Sequence, residues 1–236
     1  MASLKRETDD LEVVLLDIEG TTTPITFVKD ILFPHAKKNV RGFLERNWDT
    51  AQCKEDVLAL KVQAEKDKDM DGVVSIPDFN ESSQCLDLNG DKIRIYDDVI
   101  TALKHWTSNN IKIYIYSSGS VDAQKLLFGN SKFGDLLQYI NGHFDTTVGA
   151  KTESKSYKTI SEAIATKPSR ILFVTDVTKE ARAASEAGFT TAISVRPGNA
   201  VLTEKEKSSL RTISTFDELL FDIEESSSKK KAKTDS

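Results

Sequence analysis

Three apolar runs in this chain end in polar residues that a strand does not need. Val13-Val14-Leu15-Leu16 runs into Asp17, with Glu19 two residues on. Ile113-Tyr114-Ile115-Tyr116 runs into Ser117-Ser118-Gly119, and Ile171-Leu172-Phe173-Val174-Thr175 runs into Asp176. In a parallel sheet, ligands bind in the crevice at the carboxyl ends of the strands. If these strands are neighbours, Asp17, Glu19, Ser117 and Asp176 meet there. Unperturbed Asp and Glu titrate at about 3.9 and about 4.3, so all three acids should be charged at neutral pH. Two such charges ~4 Å apart repel by about 4 kcal/mol at an effective dielectric of about 20. The cluster therefore needs a cation, a shared proton or a larger separation. Oxygen-only ligands favour Mg²⁺, which keeps some waters and accepts a substrate phosphate. No His or Cys accompanies the acids, which argues against zinc.

The elements that must position these residues follow from the hydrophobic period. Val13–Leu16, Ile113–Tyr116, Ile171–Val174 and Ala192–Val195 are continuous and rich in β-branched or aromatic residues, as suits strands covered on both faces. Helical spacing separates them: Val99, Leu103 and Trp106; Ala123, Leu126 and Leu127; Ile160, Ala163 and Ile164; then Glu180 to Ala187. Alternation of this kind predicts βαβ units, hence an α/β fold with a doubly wound parallel sheet. From Phe27 to Lys68 there is no strand pattern. Pro34 suits the first turn of a helix with Ala36, Val40, Phe43 and Leu44 on one face, and a second stripe runs through Cys53, Val57, Leu60 and Ala64. Asp71-Gly72 reads as a turn and Pro77 to Asn89 as a loop. The expected organisation is a catalytic core in 11–24 and 97–221, a helical insert in 25–96 and a disordered tail in 222–236.

The tail turns from acidic to serine-rich and then basic at Lys229, Lys230, Lys231 and Lys233, with no apolar face. A solvated tail is the first reading; a nuclear address or a contact to an acidic partner is the second. Over all 236 residues, 32 Lys and Arg stand against 37 Asp and Glu, a net charge of −5. That balance argues against a dedicated nucleic-acid binder. No apolar run approaches a membrane span, and Met1 to Asp10 lacks the apolar stretch of a secretory signal. Cys53 and Cys85 are too few for a disulfide scaffold. The expectation is a cytoplasmic monomer with neither a nucleic-acid nor a membrane partner.

Asp17-Ile18-Glu19-Gly20-Thr21 resembles the first motif of the haloacid dehalogenase-like hydrolases, whose first Asp is the nucleophile. The longer strings Leu15 to Ile25 and Tyr116-Ser117-Ser118-Gly119-Ser120-Val121 narrow the resemblance to the enolase-phosphatase (acireductone synthase) family of methionine salvage. So do Gly142-His143-Phe144-Asp145, Thr175-Asp176-Val177-Thr178 and Arg196-Pro197-Gly198-Asn199. The likeness covers about Leu11 to Ile76 and Asp97 to Leu220.

That resemblance implies roles. Asp17 would form an aspartyl phosphate, and Glu19 would be the general acid and base. Asp17, Glu19 (through its backbone carbonyl) and Asp176 would hold one Mg²⁺ per subunit. Ser117 and Ser118 would hydrogen-bond a phosphorylated diketone substrate, Lys151 would neutralise phosphate charge, and Gly119 would let the backbone approach the ligand. The base for enolisation stays open between Glu19 and a residue of the insert.

Structural alternatives exist for each. Asp17 could cap a strand end, Asp176 could cap a helix beginning near Lys179, Ser117 or Ser118 could start a helix, and Lys151 could be a surface lysine. Thr203-x-x-Glu206 reads as a capping box. His35, His105, His143 and Cys53 read as packing or surface residues, and Cys85 has no partner motif. In the family, the insert is a cap that continues well beyond the point matching Ile76. Here it returns to the core early, so Phe27, Val40, Phe43, Val57 and Leu60 should lose apolar partners. A broader-specificity or catalytically impaired Mg²⁺ phosphatase, acting through partner binding, is therefore the alternative function. A phosphoaspartate receiver fits less well, because its phosphorylated Asp is not in an Asp-x-Glu of the first strand.

Overall fold

The computed structural model describes residues 11–66, 68 and 94–220. Asp71-Gly72, Pro77 to Asn89, Cys85 and the tail from Asp222 lie outside them. In chain order the elements are β1 (Val13–Leu16), α1 (Phe33–Asn47), α2 (Ala51–Lys66), α3 (Asp97–Ser108), β2 (Lys112–Tyr116) and α4 (Val121–Gly129). Then come β3 (Gly142–Phe144), α5 (Ser154–Ala163), β4 (Ile171–Thr175), α6 (Thr178–Glu186), β5 (Thr190–Ser194), α7 (Glu204–Ser209) and β6 (Thr212–Ile213). The chain divides into two compact units: Met1–Phe27 with Lys92–Ser236, and Val28–Asp91. Among the described residues no helix is long and apolar enough to cross a membrane.

The larger unit is built on a six-stranded sheet in the order β3-β2-β1-β4-β5-β6, parallel throughout. β1 and β4 are buried at every position, as continuous apolar runs require. Leu16 pairs with Ile115 on one side and with Val174 on the other. The residues that follow each strand therefore emerge side by side, and the chain reverses its winding direction at β1, where such sheets carry their crevice. On one face Val13, Leu15, Ile171 and Phe173 pack with Tyr116, Tyr157, Ile160, Ala183, Ala184 and Phe189 in a common core. On the other, α3 packs against β2 and buries Val99, Leu103 and Trp106. The Trp106 indole N–H donates to Leu219 O at 3.1 Å, which closes the unit around its last turn.

Two strands escaped the periodic reading. β3 has three residues beginning with Gly142, and β6 has two, both too short to show a period.

In the smaller unit, a π-helical turn at Val28–Leu32 runs directly into α1, which carries Pro34 in its first turn. Val40, Phe43, Leu58 and Leu60 are 49%, 47%, 61% and 57% exposed. The expected loss of partners does not extend to Phe27, which is 2% exposed, and Val57 is half-buried. Cys53 is buried with a free thiol.

The capping box at α7 is formed. Thr203 Oγ1 accepts from the Glu206 N–H at 3.3 Å, and Glu206 Oε2 accepts from the Thr203 N–H at 3.0 Å. Glu206 Oε1 also accepts from the Thr178 hydroxyl at 2.9 Å, so the cap ties α7 to the start of α6. Thr203→Ala should lower the unfolding free energy by about 1 kcal/mol, read as an earlier urea midpoint with an unchanged slope.

Candidate active site

The loop after β1 is shaped by its own threonines. Ile18 O accepts from the main-chain N–H groups of Thr21, Thr22 and Thr23 at 3.2, 2.8 and 3.0 Å. The Thr22 and Thr23 hydroxyls donate to the same oxygen at 3.1 and 3.2 Å. Gly20 takes φ +75°, and a Cβ there would lie 2.5 Å from Asp176 Oδ2 and 3.1 Å from Asn199 Oδ1. Only glycine lets this loop sit against the Asp176 carboxylate.

Asp17 continues β1, its N–H donating to Val174 O at 2.9 Å, and is buried. Its Oδ1 accepts from Lys151 Nζ at 2.6 Å. The same ammonium pairs with Glu180 Oε2 at 2.8 Å, and the Thr175 hydroxyl donates to that oxygen at 2.8 Å. Thr175 Oγ1 also lies 3.5 Å from Asp17 Oδ2. The segment that delivers Lys151 is held by the tyrosines of the core. Tyr116 OH donates to Gly149 O at 2.9 Å, and Tyr157 OH donates to Lys151 O at 2.6 Å. Gly149, at φ +133°, leaves room for Ser156 Oγ, which donates to Ala150 O at 2.7 Å; a Cβ at position 149 would come within 2.3 Å of that hydroxyl.

Among the described residues, the Lys151 ammonium thus stands against the carboxylates of Asp17 and Glu180, with Asp176 beside them. Burial alone would lower the Lys151 pKa, but the charges of Asp17 and Glu180 outweigh it and hold it above the ordinary lysine value. Burial pushes the Glu180 carboxyl up even though Lys151 opposes this. Burial, and then the charge of Asp17, push Asp176 up to about 7. Burial likewise raises the Tyr157 and Tyr116 phenols, which remain neutral donors.

The predicted site residues fall into two groups. Asp17, Lys151 and Asp176 come together at the strand tips. Glu19 is half-buried on the adjoining loop, with its main chain bridged to Thr23. Ser117 follows β2 and is buried, its N–H donating to Phe144 O at 3.2 Å, while Ser118 is exposed. Among the described residues neither serine hydrogen-bonds the carboxylate cluster. The structural alternatives do not describe these positions. Ser120, not Ser117 or Ser118, caps α4 by accepting from the Ala123 N–H at 3.3 Å. The N-cap of α6 is Val177, without a side-chain cap bond, so Asp176 is not the cap of that helix. Lys151 has a side chain only 10% exposed. At Gly119 the nearest atom to a Cβ would be Ser117 Oγ, 4.0 Å away, so protein packing does not impose glycine there.

The sequence reading passed over Glu180, Thr175 and Asn199. Glu180 lies in the first turn of α6, where an acid is ordinarily a partner of the helix dipole. Its spacing of four from Asp176, at a strand tip, was the available signal. Asn199 closes the far side. Its Nδ2 donates to Gly20 O at 2.8 Å and to Ser194 O at 3.1 Å.

Among the described residues no three His, Cys, Asp or Glu side chains form a metal cage. The available donors are two carboxylates, Asp17 and Asp176, with main-chain oxygen from the adjoining loop. An all-oxygen set of this size fits Mg²⁺, which takes few protein ligands and keeps waters. The surplus negative charge at Asp176 and the buried Asn199 Oδ1, which has no hydrogen-bond partner among the described residues, support that fit.

Residues 11–188 match the haloacid dehalogenase-like hydrolase family. Enolase-phosphatase E1 of Xenopus tropicalis is 46% identical over 244 aligned positions, covering 89% of this chain and 94% of that protein. That span exceeds the 236 residues of the chain, so the frog protein has stretches without a counterpart here. A probable bifunctional methylthioribulose-1-phosphate dehydratase/enolase-phosphatase E1 of Arabidopsis thaliana is 43% identical, covering 87% of this chain and 47% of that protein. Among solved structures, the UTR4 protein of Saccharomyces cerevisiae superposes with a TM-score of 0.65 at 28% identity, over 88% of this chain and 99% of that one.

Asp176 gives the site a stability signature. A carboxyl raised from 3.8 to about 7 on folding costs stability as pH climbs from about 4 to about 7, with no further loss above. Without metal, Asp176→Asn should therefore melt higher than wild type at pH 8, and the gap should narrow at pH 5. The half-buried position screens part of the cost. A few degrees is the expected gap, since about 1 kcal/mol moves Tm by about 2–4 °C in a chain of this size. Added Mg²⁺ should raise the wild-type Tm and leave that of Asp176→Asn unchanged, both by scanning calorimetry.

Proposed function

The chain belongs to the haloacid dehalogenase-like hydrolases and, within them, to the enolase-phosphatase E1 family; from that premise we propose that it converts 2,3-diketo-5-methylthiopentyl-1-phosphate to acireductone, by enolisation and then dephosphorylation, in L-methionine salvage. The observation that supports this most is Lys151 Nζ placed between Asp17 and Glu180, 2.6 and 2.8 Å away, with Asp176 beside them at the strand tips.

In the phosphatase step, Asp17 attacks phosphorus and the bond to the substrate's ester oxygen breaks, leaving an aspartyl phosphate. Glu19 gives the leaving oxygen its proton. It then takes a proton from the water that attacks phosphorus, so that inorganic phosphate leaves and Asp17 is regenerated. Lys151 holds the Asp17 carboxylate in one orientation for attack and neutralises phosphoryl charge as a point cation. Thr175 and Glu180 fix Lys151 in turn. Ser117 and Ser118 hold the phosphate or the polar chain from the β2 side. Asp17, Asp176 and the Glu19 carbonyl would hold one Mg²⁺, which supplies positive charge against the phosphoryl oxygens and the developing enolate when bound. Enolisation removes a proton from the carbon next to a carbonyl, and Glu19 is the core's candidate for that base.

A second reading, broader phosphatase specificity, is favoured by the exposed apolar residues of the insert and by the length the frog relative has beyond this chain. Cap closure is what excludes water and selects substrate in enzymes of this design. Phosphate release from the diketone phosphate should require Mg²⁺ and fall by about a thousandfold or more in Asp17→Asn, because the covalent route is lost. Equal release by wild type and Asp17→Asn would refute the function. A kcat/KM no higher for the diketone phosphate than for generic phosphate esters would favour the second reading.

A further inference from the structure

Gln124 has no part in the machinery described so far, yet it is 1% exposed and spends both of its N–H donors on the serine loop and its support. It lies in the second turn of α4 and reaches back toward the loop that precedes the helix. Its Nε2 donates to Gly119 O at 2.8 Å and to Phe144 O at 2.8 Å. Two carbonyl partners fix which end of the amide is nitrogen. Oε1 must then accept from His143 Nδ1, 3.1 Å away, so that ring nitrogen carries the hydrogen. Phe144 O also accepts from the Ser117 N–H at 3.2 Å. The amide therefore ties the far end of the loop, Gly119, to the carbonyl that already anchors its near end, Ser117. Asp145 adds a tie beyond the loop, accepting from the Val121 N–H at 3.3 Å.

We propose that Gln124 is a positioning residue: its amide clamps the Ser117-Ser118-Gly119 loop to the tip of β3 in the conformation that receives the phosphorylated substrate. The inference rests on the ligand role given to Ser117 and Ser118 above. No peptide bond here is cis, and a trans peptide points its N–H opposite its C=O. Drawing the Gly119 carbonyl onto Gln124 therefore turns the Ser120 N–H away from Gln124. A neutral amide is the side chain for this position. It supplies two donors to two carbonyls and an acceptor to His143, whereas a carboxylate would confront both carbonyls with negative charge.

The test uses the full chain with Mg²⁺, with steady-state kinetics on the diketone phosphate and calorimetric binding of inorganic phosphate. Gln124→Met keeps length and burial without hydrogen bonds; Gln124→Glu keeps shape and the His143 acceptor and serves if the first variant fails to fold. Either should raise KM and the phosphate Kd by about tenfold or more, as two lost bonds of about 1 kcal/mol each require, while kcat changes less than about threefold. Added to Ser117→Ala, it should cost much less than the product of the two single effects, because both act through one loop. KM and Kd within twofold of wild type would overturn the inference, as would an equal fall in kcat and kcat/KM, or multiplicative effects. If Ser117→Ala and Ser118→Ala themselves leave KM and Kd unchanged, the ligand role of the serines fails, and the clamp has nothing to position. Weakened serine variants beside a normal Gln124→Met would sink the clamp alone.

Discussion

The site depends on one arrangement of charge: a buried ammonium shared by two carboxylates, with a third carboxylate left over. Lys151 satisfies Asp17 and Glu180 at hydrogen-bonding distance, and Asp176 retains the surplus. Desolvated like charges cannot be stacked in this way without compensation. The protein compensates unevenly. The Asp17 carboxylate is held against the Lys151 ammonium, while among the described residues no salt bridge reaches Asp176, whose carboxyl is pushed up to about 7 by burial and the charge of Asp17.

Much of the fold exists to bring these groups together. Strand order places β1 between β2 and β4, and the register carries Asp17 and Asp176 to adjacent tips. Lys151 comes from the segment between β3 and α5. Two core phenols hold its backbone, so the hydrophobic face of the sheet and the charged site share Tyr116 and Tyr157. Gly20 and Gly149 permit the two close approaches. The links run from apolar periodicity, through strand order, to a positioned lysine, and each depends on the one before.

The parts legible in the sequence were those with strong local signals. Continuous apolar runs marked β1, β2, β4 and β5, and their polar ends marked Asp17, Ser117 and Asp176. Charge repulsion left a cation, a shared proton or a larger separation as the ways to hold the acids together, and the family likeness supplied Lys151 as a phosphate contact. It did not reveal that Lys151 is the internal cation of the cluster, because that follows from a contact with Glu180 across distant segments. Glu180 entered only as the start of a helical stretch, and Asn199 only as the end of a motif shared with the family. β3 was hidden by its length, although Gly142-His143-Phe144 carries the carbonyl on which the serine loop hangs. Local pattern predicts which residues reach the strand tips; only tertiary contacts decide how their charges are shared.

Calorimetric titration of the metal-free chain with Mg²⁺ at pH 7, repeated in buffers of different ionisation enthalpy, tests the uncompensated charge at Asp176 most directly. With Asp176 at about 7, one ion should bind per chain and expel about half a proton as that carboxyl gives up its share. Absence of uptake, or uptake with no dependence of the heat on buffer, would contradict the account.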